Sequence, residues 1–182
     1  MSFSSFRVAA CVLAVALTPT VTFAQEVLGT IKASLDGVER TWFLTSEGDE
    51  SQSFGLSIAM ANLQSFNLWG QASAETVQEM KDSLLLGFDV MTVGEQMIPV
   101  NFTLTYLEDG WKSGWRAGED EHPVFSLTTL EKRDDSIFVE GNFAVVAGFD
   151  APLTGPETDA SRAMKIDGSF SVLLPPALLK KR

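Results

Sequence analysis

Apolar side chains return at every second position in five separate stretches of this chain, and no other feature of the sequence constrains its fold as strongly. Ile31, Ala33 and Leu35 alternate with Lys32, Ser34 and Asp36, and Phe54, Leu56, Ile58 and Met60 alternate with Gly55, Ser57, Ala59 and Ala61. The same period runs through Ile98, Val100, Phe102, Leu104 and Tyr106, through Ile137, Val139, Phe143 and Val145, and through Ile166, Phe170, Val172 and Leu174. Successive side chains of a strand point to opposite faces, so a period of two marks a sheet with one face buried. Four weaker stretches, residues 38–45, 64–70, 84–91 and 123–132, bring the expected total to eight or nine strands.

The punctuation between these stretches suits hairpins. Asp36 and Gly37 separate the first two strands, Asp134 and Asp135 separate a later pair, and Asp109 with Gly110 closes the strand expected to end at Leu107. Asp-Gly tolerates the positive φ angles that tight hairpin turns demand. One short helix is expected over Ser73–Lys81, with Ser73 as its cap and Ala74, Val77 and Met80 on a similar face. Many short strands with almost no helix define an all-β protein: an antiparallel β-sandwich, with a closed soluble β-barrel as the alternative. An outer-membrane barrel is disfavoured because the chain has one tyrosine, too few for aromatic girdles, and ends in Lys180, Lys181 and Arg182 rather than a terminal aromatic strand.

The amino terminus reads as a cleavable export signal over residues 1–24, leaving a single domain over residues 25–182. Arg7 precedes a short apolar run, Val8 to Leu17, which is too short for a stable membrane-spanning helix. Pro19 breaks that run, and Thr22 and Ala24 occupy the small-residue positions of a cleavage site. Cys11 precedes most of the apolar run, so a lipid anchor there is not expected. Cleavage removes one of 13 basic residues and none of the 24 acidic ones, so the formal charge moves from −11 to −12. It also removes the only cysteine, which excludes disulfides and thiolate metal sites from the mature chain. A periplasmic or secreted, acidic product follows, with no transmembrane segment after cleavage and no affinity for nucleic acid.

Residues 33–37, Ala-Ser-Leu-Asp-Gly, followed by Trp42 resemble the opening of several uncharacterised secreted bacterial β-sandwich families. Residues 139–143, Val-Glu-Gly-Asn-Phe, and 166–170, Ile-Asp-Gly-Ser-Phe, resemble their closing hairpin. The resemblance covers the two ends of the domain and implies a β-sandwich. It carries over no catalytic residue.

Little in the chain specifies a chemistry. His122 is the only histidine, so no histidine cluster can bind a metal within one chain. No Gly-x-Ser-x-Gly elbow presents a nucleophile, and no glycine-rich loop leads from a strand into a helix to hold phosphates. Carboxylates gather at Glu47/Asp49/Glu50, at Glu119/Asp120/Glu121, at Asp134/Asp135 and at Glu157/Asp159, where turns are expected. A hydrolase would need two of them across a cleft, and calcium would need several converging oxygens. Trp111 and Trp115 are the candidate ligand-binding residues. Four apart on one strand they would face the same way, a platform for a sugar or an apolar molecule. Trp42 and Trp69 are assigned to the core. The expected function is therefore non-catalytic binding of a glycan, a small apolar ligand or a partner protein, with no cofactor and no metal site. A carboxylate hydrolase and a structural envelope role are the alternatives.

Overall fold

A computed structural model describes residues 25–58, 62–94, 96–154 and 159–181. The expected signal, residues 1–24, lies outside these, as do Met60 and Glu157. The strands are β1 (Gln25–Leu35), β2 (Val38–Glu47), β3 (Phe54–Ile58), β4 (Leu63–Gln71), β5 (Ser83–Val93), β6 (Gln96–Trp111), β7 (Gly114–Ala117), β8 (Val124–Arg133), β9 (Ser136–Asp150), β10 (Asp159–Leu174) and β11 (Leu179–Lys181). Nine match the expected stretches. The two additional ones, β7 and β11, span only four and three residues, too short to show an alternation.

Pairing joins all eleven strands in one continuous sheet, which folds over as two facing sheets of strands, β11-β3-β4-β5-β6 and β8-β9-β10-β1-β2. All neighbours are antiparallel except β11 with β3. Inward aromatic rings meet across the two sheets: Phe88 lies 5.4 Å from Phe170, and Phe102 lies 4.7 Å from Phe125 and 5.9 Å from Phe143. Ile31, Trp42, Leu44, Leu68, Leu84, Leu86, Leu104 and Ile166 complete a core from which solvent is excluded.

The sheets are also stitched together on both sides. Phe43 and Leu44 of β2 pair with Gln71 and Gly70 of β4, and β7 bridges β6 and β9. Hydrogen bonding therefore runs in a ring through β1-β2-β4-β5-β6-β7-β9-β10. The molecule is a sandwich whose edges are closed at one end, so the sandwich and barrel expectations describe two parts of one fold. Apolar side chains fill its interior, the reverse of an outer-membrane barrel, which is apolar outside.

Three local readings are corrected. Residues 73–81 form no helix, because side chains take the carbonyls that an α-helix would use internally. Gln25 donates to Ala74 O and Thr76 O, Gln71 to Val77 O, and Trp69 and Ser83 to Glu79 O. The strand ending expected at Leu107 extends to Trp111, with Gly110 at φ 62° inside it and the turn following. The unbroken alternation of Ile98–Tyr106 is interrupted by a bulge at Asn101, where φ is 55° and three steps on β6 match two on β5. An extra residue flips the face of everything beyond it. Ile98 and Val100 consequently sit opposite Met91 and Asp89, away from the core, and Met97 pairs with Thr92.

Candidate functional site

The geometry expected of Trp111 and Trp115 does not form. Lys112 and Ser113 separate the end of β6 from β7, so the two rings belong to different strands. Trp111 is 42% exposed, whereas Trp115 is buried at 8%, edge-on to Phe149 at 5.2 Å and beneath the Arg162 guanidinium. The neighbour of Trp111 is instead Trp69, whose ring lies edge-on at 6.3 Å. Trp69 was assigned to the core, yet it alternates with inward Leu68 and Phe66 and so faces outward on β4, half-buried. Its indole N–H donates to Glu79 O at 3.3 Å, and Met80 stands exposed close by. Trp42 is fully buried, as expected.

The polar clusters stay local. The carboxylate of Glu121 accepts from the Gly118 amide at 2.7 Å, and Glu47 and Glu50 pair through their backbones. His122 has φ 49° and lines a shallow cleft with Glu119, Asn101 and Phe125. Among the described residues, no three His, Cys, Asp or Glu side chains converge to hold a metal ion.

A different region offers room for a ligand. Away from the stitched end, the two sheets part, leaving a mouth of about 560 Å³. One wall comes from the first sheet: Ser57 of β3, Gln64 of β4, Thr92 of β5, Met97 of β6 and Leu179 of β11. The other comes from the β8–β9 hairpin: Leu130, Lys132 and Ile137. Leu130, Ile137 and Leu179 also pack against the core, so the floor of the mouth is continuous with it. Its volume lies in the roughly 300–1,000 Å³ range of small-molecule sites, and its lining is about as polar as apolar, with Glu131, Asp135 and Lys180 beside the residues already named.

The mouth was hidden from sequence reasoning for a definite reason. Its wall residues come from seven strands, and the bulge at Asn101 brings Met97 rather than Ile98 onto the inner side. One sequence signal was available: the inward series on β8, Phe125, Leu127 and Leu130, ends in Lys132.

No protein-family model, no curated protein and no solved structure matches this chain.

Proposed function

We propose that the chain is an exported, non-catalytic binding domain that takes a small apolar molecule into the mouth between its sheets. The observation that carries this reading is the apolar floor, Leu130, Ile137 and Leu179, left accessible where the sheets part. Export is supported by the sequence of residues 1–24. Gln25, the residue after the expected cut, is already held in the domain through Ala74 and Thr76. Intact-mass measurement of protein recovered from the periplasm should begin at Gln25; a retained Met1 or a lipid on Cys11 contradicts export by this route.

Binding is tested with Nile red, an uncharged dye that brightens in apolar surroundings. The protein should bind it saturably at one site. Met97→Arg, a change at a half-exposed wall position, should abolish that signal without unfolding the chain, and Trp111→Ala should leave it intact. Equal binding by Met97→Arg and the parent excludes the mouth. A second reading, a glycan held on Trp111 and Trp69, is favoured by the exposure of Trp111 beside another indole. It predicts that Trp111→Ala, and not Met97→Arg, removes ligand binding.

A further inference from the structure

The outer faces of the two sheets have opposite chemistry. Residues directly opposite one another on paired strands share a face. Across β8-β9-β10-β1-β2 one such outward row is Ser126, Asn142, Ser169, Lys32 and Thr41. Every member is polar, as expected of an antiparallel sheet with one solvated face. On the first sheet, the row next to the hairpin tips is Ile58, Leu63, Met91 and Ile98, one residue from each of β3, β4, β5 and β6. These alternate with Ser57, Gln64, Thr92 and Met97, which line the mouth, so the apolar row faces away from both mouth and core. Met91 and Ile98 are exposed, and so is Val93, which follows on the same face of β5.

Charge is scarce on this face, although the chain as a whole carries a formal charge of −11. Strands β3 and β4 contain no charged residue, and β5 contains only Asp89. Contiguous exposed apolar surface of this kind marks an interaction site. The next row away from the tips runs Lys180, Leu56, Ser65, Asp89 and Val100 across β11-β3-β4-β5-β6. Lys180 lies along the outer face, its ammonium 4.8 Å from the Phe54 ring. The Asp89 carboxylate accepts from Asn101 Nδ2 at 2.8 Å. Neither Lys180 nor Asp89 forms an ion pair among the described residues. Strand β4 is the middle of the five, so the cation and the anion of this row stand on opposite sides of it.

We infer that this face receives a second copy of the chain, related to the first by a two-fold axis running along β4. The contact is isologous, the same surface serving both copies. Rotation about this axis lays β3 over β5 of the other copy and β11 over its β6, with strands aligned as in a sandwich. Leu63 meets its own equivalent, and Ile58 meets Met91 of the other copy. Lys180 then stands one strand spacing, about 4.8 Å, to the side of the other copy's Asp89, and the pair is made twice. An axis along the row itself would instead set lysine against lysine and aspartate against aspartate. Once covered, Asp89 has both Lys180 and Asn101 as partners, which offsets the cost of taking it from water. Two acidic chains also repel least where they meet through a face with little charge. The mouth is lined from the inner positions, so the inference is independent of the ligand proposed above.

Sedimentation velocity of the full exported chain over a concentration series tests this. The parent should pass saturably from monomer to dimer. Met91→Lys should abolish the dimer, and Val93→Lys, at a more exposed position, should act in the same direction. Val146→Lys, on the outer face of the second sheet, should leave the dimer intact. Asp89→Lys and Lys180→Glu should each weaken self-association about tenfold, because each turns two exposed charge pairs from attractive to repulsive. An equimolar mixture of those two variants should associate as tightly as the parent, since both pairs are then attractive again. The difference between single variants and parent should shrink in about 1 M salt, where charges are screened over roughly 3 Å. A parent that stays monomeric throughout, or a Met91→Lys chain that dimerises like the parent, overturns the inference. Loss in the single charge variants without recovery on mixing overturns the axis along β4. A monomeric parent that binds phosphatidylcholine vesicles through Met91 would replace the second copy with a lipid surface.

Discussion

The Tyr106 hydroxyl donates to Asp82 Oδ1 at 2.6 Å, and Arg40 Nη1 reaches the same oxygen at 2.7 Å. Trp42 Nε1 donates to the Asp82 carbonyl at 2.8 Å, and Asp82 itself holds φ at 55°. Side chains from β2 and β6 thus fasten the residue at which the irregular segment after β4 enters β5. This is the closed end of the sandwich, where the fold is tied rather than open.

Burial, and then the hydrogen bond to the Asp82 carboxylate, hold the Tyr106 phenol far above its ordinary value near 10. A raised folded value means that the unfolded chain loses the proton first. The stabilisation is therefore complete below about pH 10 and is lost as pH rises from there towards the folded value. Tyr106 is the only tyrosine, so tyrosinate absorbance near 295 nm reports this residue alone. It should stay silent past pH 10 and appear together with unfolding. Titration near pH 10 in the folded protein contradicts the contact. Tyr106→Phe should cost about 1.5 kcal/mol, the low end for a hydrogen bond to a charged group, because Arg40 still reaches Asp82.

The four tryptophans divide by burial, and their replacement should divide the same way. Trp42→Ala empties a fully enclosed site and should destabilise by about 3–5 kcal/mol in urea unfolding. Trp115→Ala should fall near the bottom of that range, about 3 kcal/mol, since its ring is buried under Phe149 and Arg162. Trp111→Ala should stay within about 0.5 kcal/mol. A large loss at Trp111 would mean that its ring is a structural plug.

Strand β7 closes the ring, and Gly114 lets it approach. A Cβ at Gly114 would lie 2.1 Å from Tyr106 O and 2.8 Å from Leu153 Cδ1, so a side chain there must push β7 from β6. Gly114→Ala should cost about 1–3 kcal/mol, the range for overpacking, measured as a fall in the urea midpoint. Indifference to this change would mean that β7 is not held against β6. Gly70 is constrained similarly by Trp42 Cβ, 2.6 Å from its added Cβ, at the other stitch.

Much of the sandwich was legible because a period of two is a direct imprint of one buried face. Strands β1, β9 and β10 follow it through their buried apolar positions, and the Asp36-Gly37 turn carries φ values of 48° and 89° as its residues imply. What escaped was non-local. Ser73–Lys81 has local helical potential, but its carbonyls are claimed by Gln25, Trp69, Gln71 and Ser83, partners from 4 to 51 residues away. A bulge at Asn101 reverses the parity of Ile98 and Val100 with no deletion of the apolar pattern. Trp111 was legible as an exposed aromatic, but its partner was read as Trp115 because sequence separation cannot register the turn at Lys112 and Ser113. The mouth itself depends on where seven strands end relative to one another, which no single stretch encodes.

Methionine methyl resonances give the most direct test of the mouth as the binding site. Met97 lines it, and Met80 lies beside Gly110 at the opposite, stitched end of the sandwich. With methyl-labelled methionine, titration with 1-decanol should shift the Met97 resonance saturably and leave Met80 in place. A shift confined to Met80, or no saturable shift at either methyl, would contradict ligand entry between the sheets.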